Sequence, residues 1–192
     1  MGLDSVALVS SIESYFGIRL ENQVAASIVT VQDMVDAVAN QLGIVTDTAL
    51  LKISVMEKVH PLLVPQGSTP VEWTSALKNY LSFDDKAAWK RMESQMGLHL
   101  PRPLTKHADN NLWTRFWDSL AWMPRYDAGG ITVGQWVDAI AAANYRDLID
   151  PAQLQSRYEI MVAISGITCE TMGVDYFEIA PDKQFARDLG LD

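Results

Sequence analysis

A single cysteine, Cys169, stands in the whole chain, which excludes an internal disulfide and makes a buried structural thiol among Ile164, Ile167 and Met172 its expected role. Histidine is scarce as well. His60, His99 and His107 lack the paired spacing of a metal site, and each reads as an ordinary helix or loop residue. Basic charge is in deficit, with a formal net charge of −9, which argues against nucleic acid, whose phosphates demand basic surfaces. No apolar run reaches the roughly 20 residues that span a bilayer, and no basic, hydrophobic leader comes before Ser5. A cytoplasmic protein without a membrane span is therefore expected. Nor is there a nucleophile motif with a base: Gly129-Gly130 reads as a turn, and Asp84-Asp85 as a helix cap before a metal-binding pair. No catalytic residue is named, and the chain is not expected to be an enzyme.

What is present is enough apolar material for a core, in a chain of one-domain or two-domain length. The acid is unevenly placed. Residues 1–43 carry five acids and one base, and residues 151–192 carry seven and three, so the two ends hold eight of the nine net negative charges. All six tryptophans and all three histidines lie between residues 44 and 150. That contrast marks the middle as a second domain.

The two ends share a short motif. Gly2, Leu3, Asp4 and Ser5 open the chain, and Gly190, Leu191 and Asp192 close it. Asp4 is suited to cap a helix beginning at Ser5, with Leu8, Val9, Ile12 and Phe16 as its apolar stripe. Ser5 is then exposed at the positive end of that helix, where a phosphate ester is favoured.

The stretch from Gly2 to Val9, the exit Phe16-Gly17-Ile18-Arg19-Leu20 and the run from Thr30 to Val38 together resemble the second, third and fourth helices of an acyl carrier protein. Gly173-Val174-Asp175, Ile179, Phe185 and the run from Asp188 to Asp192 resemble the exit of that family's first helix and its long loop, up to the residue before the serine. Read as 151–192 followed by 5–43, the chain gives a complete carrier domain, circularly permuted at the attachment loop. The resemblance implies an all-α fold of two small helical bundles: residues 1–43 plus 151–192 form the four-helix carrier domain, and residues 44–150 a Trp-rich helical domain. It also implies 4′-phosphopantetheine, donated by coenzyme A through a phosphopantetheinyl transferase and attached to Ser5, with Asp4, Leu3 and Asp192 framing the site. Acyl intermediates of fatty acid, polyketide or related biosynthesis would travel on it as thioesters, between acyl-transferring or condensing enzymes with basic docking surfaces. The family's second helix carries acids toward its partners, whereas here that helix has Glu13 with Ser10, Ser11 and Ser14.

An internal repeat links the two domains. Ile12 to Leu20 matches Met92 to Leu100 at four of nine positions, and Thr30 to Ala39 pairs with Thr132 to Ala141. Each threonine is placed to cap a helix. The first match sets Ser5 against Asp85, which offers no hydroxyl to modify. Upstream, Val71 and Leu77 stand where Ile179 and Phe185 stand, after a helix expected from Asp47 to Val64. The middle domain is thus a candidate carrier-like domain lacking the attachment serine. It holds an extra segment from 101 to 130, in which Leu112, Trp113, Phe116, Trp117 and Leu120 follow helical spacing from Asp109 or Asn110 to Pro124. Core filling is the favoured reading of that segment, and a docking surface the other.

Three arrangements satisfy the split motif: a permuted domain closed within one molecule, a swapped dimer, or a piece of a longer repeating protein. Two other functions stand beside the carrier reading: an unmodified two-domain scaffold, and a carrier fused to an acyl-binding or enzymatic helical domain.

Overall fold

The computed structural model describes residues 3–64, 70–104 and 126–191. Among these residues the fold is all-α, with no strand beyond two isolated bridges. The predicted helix from Asp109 to Pro124 lies outside the described residues, as do His107 and Asp192.

Helix α1 (Leu3–Phe16) buries Leu8, Ile12 and Phe16, a four-residue repeat down one face, and stops where Gly17 takes φ 65°. The helix starts at Leu3, not at Ser5, so Asp4 lies inside the first turn and is not its cap. Helix α2 (Asn22–Ser27) is short and buries no residue. Helix α3 (Val31–Leu42) begins with a capping box between Thr30 and Asp33.

Helix α4 (Leu50–Leu63) fills most of the span expected from Asp47 to Val64. Helix α5 (Lys86–Met96) is capped by Asp85, whose carboxylate accepts from the Ala88 N–H at 2.9 Å. Helix α6 (Val133–Ala143) opens with a second capping box, between Thr132 and Gln135. Two single turns, α7 (Tyr145–Leu148) and α9 (Phe185–Asp188), flank the long α8 (Arg157–Met172).

Helix α8 organises the whole. Ile160, Ala163, Ile164, Ile167 and Thr168 form one buried face, Val162, Gly166 and Cys169 are buried on the opposite one, and the helix packs against α1, α3, α6 and α7. The buried side chains form one continuous hydrophobic core, from Ile12 and Val38 through Ile164 to Trp136 and Val59. The close approach of α7 depends on Gly166, where an added Cβ would lie 2.3 Å from the Tyr145 ring and 2.5 Å from the Ala142 carbonyl oxygen.

The internal repeat has a backbone signature. Phe185 N–H donates to Val29 O at 3.0 Å, and Leu77 N–H to Ile131 O at 2.9 Å. Val31 N–H donates to Lys183 O at 3.0 Å, and Val133 N–H to Ser75 O at 2.9 Å. Gln32 N–H reaches Pro181 O at 2.9 Å, and Gly134 N–H reaches Trp73 O at 2.8 Å. The same three-rung clamp thus holds the start of α3 and the start of α6. A side-chain clamp repeats too: Glu13 accepts from the Leu20 N–H at 2.7 Å, and Glu93 from the Leu100 N–H at 2.9 Å.

Asp33 shows how local charge supports this frame. Its carboxylate accepts from the Thr30 N–H at 2.8 Å and the Val29 N–H at 3.0 Å, and these bonds hold its carboxyl below the usual range. A depressed folded value contributes stability above the unfolded pKa of about 3.9, and that contribution fades as pH falls through the folded value. Asp33→Ala is expected to cost about 1 kcal/mol at pH 7 in urea denaturation. The cost should shrink toward zero in strong acid, and a pH-independent cost would contradict this account.

Candidate functional site

Ser5 sits in the first turn of α1, half-buried, and Asp4 beside it is exposed. The positive end of the helix dipole makes this turn favourable for an anionic group, as it would at a later start. Leu3 begins the helix, while Asp192 lies outside the described residues, so the structure brings together Leu3, Asp4 and Ser5 of the four expected site residues.

The two-residue shift of the helix start, from Ser5 to Leu3, has a physical reason in the repeat. In the second copy Phe83, buried at 6 % exposure, plugs the loop ahead of α5, and the helix waits until after Asp85. In the first copy the corresponding place is taken by Leu191, 3 % exposed, whose N–H donates to Phe185 O at 3.0 Å. Leu3 and Asp4 are therefore not needed in the loop, and they wind into the helix.

Ser5 lies at the edge of a cavity of about 210 Å³. Helix α1 contributes Ser5 and Val9, the stretch leading into α3 contributes Ile28 and Met34, and the final turn contributes Phe185 and Leu191. The walls are mostly apolar, with Ser5 and Gln184 as the polar residues of the lining. Val29 lines the cavity and is also exposed, as is Val6 next to Ser5, so the surroundings of the serine are apolar on the outside as well.

Of these wall residues, the sequence pointed to Ser5 as the site and to Val9 as part of the helix stripe, and to Phe185 and Leu191 through the family resemblance, but it gave no sign that they line one cavity with Ile28 and Met34. What the repeat offers is a comparison of residues. Setting Ser5 against Asp85 sets Val9 against Trp89, and setting Thr30 against Thr132 sets Met34 against Trp136.

A larger cleft of about 310 Å³ lies between α3, α6 and α8, and several of its polar groups are already bonded. Asp138 accepts from Lys52 Nζ at 2.7 Å and from the Tyr158 hydroxyl at 2.6 Å, and Arg157 bonds to Asp36. Among the described residues, no three His, Cys, Asp or Glu side chains gather as a metal site would require. No helix among them is long and apolar enough to cross a membrane.

Comparison of the chain with protein-family models, with curated proteins and with solved structures finds no match.

Proposed function

We propose that the chain is a carrier of the acyl carrier type, bearing 4′-phosphopantetheine on Ser5, with residues 1–43 and 151–192 as the carrier domain and residues 44–150 as a carrier-like domain that stays unmodified. The observation that carries this reading is the position of Ser5: a half-buried hydroxyl in the first turn of a helix, beside an apolar cavity, in the copy of the repeat that lacks Asp85. The residues fit the group. When bound, the prosthetic arm supplies a thiol that holds an acyl unit as a thioester. Ser5 holds the ester, the first turn of α1 offers the helix dipole to its phosphate, and the apolar cavity shelters a chain from water.

The acidic ends suit partners with basic docking surfaces, a phosphopantetheinyl transferase among them, and a cytoplasmic setting accompanies such partners. Because α8 packs on α1 and α3 of the same chain, the bundle closes within one molecule. Light scattering should therefore give a monomer, and a strict dimer would favour exchange of α8 between copies.

The test is intact mass after incubation with coenzyme A and a broad-specificity transferase. One added phosphopantetheine is expected on the wild type and none on Ser5→Ala. The unmodified scaffold is the second reading. What favours it is Glu13, the one acid of α1 beyond Ser5, whose carboxylate is turned inward to the Leu20 N–H and away from a docking role. No added mass under these conditions would support the scaffold.

A further inference from the structure

We infer that the cleft between α5 and the turn after α8 is a binding site for a nucleoside monophosphate, with Lys86, Lys90 and Arg102 on the phosphate and Tyr176 and Phe177 beside the base. The site lies on the copy of the repeat that has Asp85, so it does not depend on the loading of Ser5.

The cleft measures about 560 Å³. That falls within the roughly 300–1,000 Å³ of small-molecule sites. Helix α5 supplies Lys86 and Lys90, one turn apart and both exposed, and the segment after it supplies Arg102. Among the described residues, none of the three makes an ion pair. Two lysines at this spacing repel each other along the helix, and an anion between them relieves the repulsion. Arg102 donates from one Nη to Phe83 O, which holds the guanidinium in place and leaves other N–H groups of its fork for an acceptor.

The acids of the lining are turned elsewhere. Glu93 accepts from the Leu100 N–H at 2.9 Å and lies 2.6 Å from His99 Nδ1. Asp175 accepts from the Phe177 N–H at 3.0 Å and from the Tyr126 hydroxyl at 3.1 Å. A chain of net charge −9 thus gathers three cations without a carboxylate partner in one cleft.

The lysines are particular to this copy. The register that sets Ser5 against Asp85 sets Lys86 against Val6 and Lys90 against Ser10, and the shared glutamate clamp fixes it. The first copy builds the corresponding helix without either charge, so the fold does not require them.

The rest of the lining says what the anion carries. Trp89 and Pro101 are buried along the cleft, and Tyr176 and Phe177 are half-buried in its wall. Inorganic phosphate would leave these surfaces in water, whereas a flat heterocycle covers them, because every base has a face that stacks on an aromatic ring. A longer nucleic acid is opposed by the charge of the whole chain.

The test is calorimetric titration of the full, unmodified chain at low salt with adenosine monophosphate, adenosine, ribose phosphate and inorganic phosphate. Adenosine monophosphate is expected to bind about tenfold tighter than adenosine, through charge-assisted bonds to its phosphate. It is also expected to bind about tenfold tighter than ribose phosphate or inorganic phosphate, through stacking of the base. Lys86→Gln with Lys90→Gln should remove most of the preference over adenosine, and Phe177→Leu most of the preference over ribose phosphate, with thermal unfolding confirming that each variant is folded. Lys90→Gln alone, at an exposed position, serves if the double variant does not fold. Arg19→Gln, which removes an exposed charge outside the cleft, should change the affinity by less than about twofold. Failure of adenosine monophosphate to bind, or binding no tighter than that of ribose phosphate or inorganic phosphate, would overturn the inference. So would a folded lysine variant with wild-type affinity, or an equal loss in Arg19→Gln.

Discussion

Ser5→Ala is expected to leave the protein without a reactive thiol after incubation with coenzyme A and the transferase, while the wild type gains one equivalent. The contrast is clean because the native thiol is silent. Cys169 is buried at 7 % exposure on α8, and burial first, then the charges of Asp175, Glu170 and Glu178, pushes its thiol far above the usual value. At neutral pH it stays protonated and shielded, so a thiol reagent should meet it at least 100-fold more slowly than a solvent-exposed pantetheine thiol. The second copy offers no substitute. Asp85 has no hydroxyl, and its carboxylate is occupied as the cap of α5. Ser5 is half-buried in the first turn, so its replacement by alanine should cost no more than about 1 kcal/mol and leave the fold in place. A fast-reacting equivalent of thiol in loaded Ser5→Ala would place the attachment elsewhere.

Gly166→Ala is expected to destabilise the chain by about 3 kcal/mol, or roughly 6–12 °C in Tm for a protein of this size. The new Cβ would lie 2.3 Å from Tyr145 Cδ1 and 2.5 Å from the Ala142 carbonyl oxygen. The ring cannot simply swing away, since Tyr145 is 1 % exposed and its hydroxyl donates to Glu170 at 2.9 Å. The carbonyl belongs to the end of α6 and moves only with its backbone. Relief therefore requires α6 and α7 to withdraw from α8, which opens the shared core. Ser165→Ala, one residue away with its hydroxyl bonded to the Met161 carbonyl, serves as the control and should change stability by less than about 0.5 kcal/mol. Equal stability of the two variants by thermal unfolding would show that the α7–α8 contact is not the fixed joint described here.

What the sequence revealed of the fold lies in its local chemistry. Thr30 and Thr132 announce their helices because a capping hydroxyl and an acceptor three residues on are both visible in the letters. Gly17 and Gly97 close their helices with φ near 65°, at matching places in the repeat. The pairing of Leu77 with Phe185 was legible from spacing, and both residues make the first rung of the same backbone clamp.

Other features depend on contacts between distant segments and have no local signature. The continuous core is one: nothing near Gly166 in the chain says that Tyr145 will lie against it. The early start of α1 is another, because it follows from Leu191 filling the place that Phe83 fills in the twin. The cavity is a third, with walls from α1, the approach to α3 and the final turn.

The central claim is that of the two copies of the repeat in one chain, one is loaded and the other is not. Fragmentation mass spectrometry of the wild-type protein after incubation with coenzyme A and the transferase tests it most directly. The account predicts one phosphopantetheine per chain, on the fragment containing Ser5, and none on fragments from residues 44–150. No addition, two additions, or a single addition on the middle segment would contradict it.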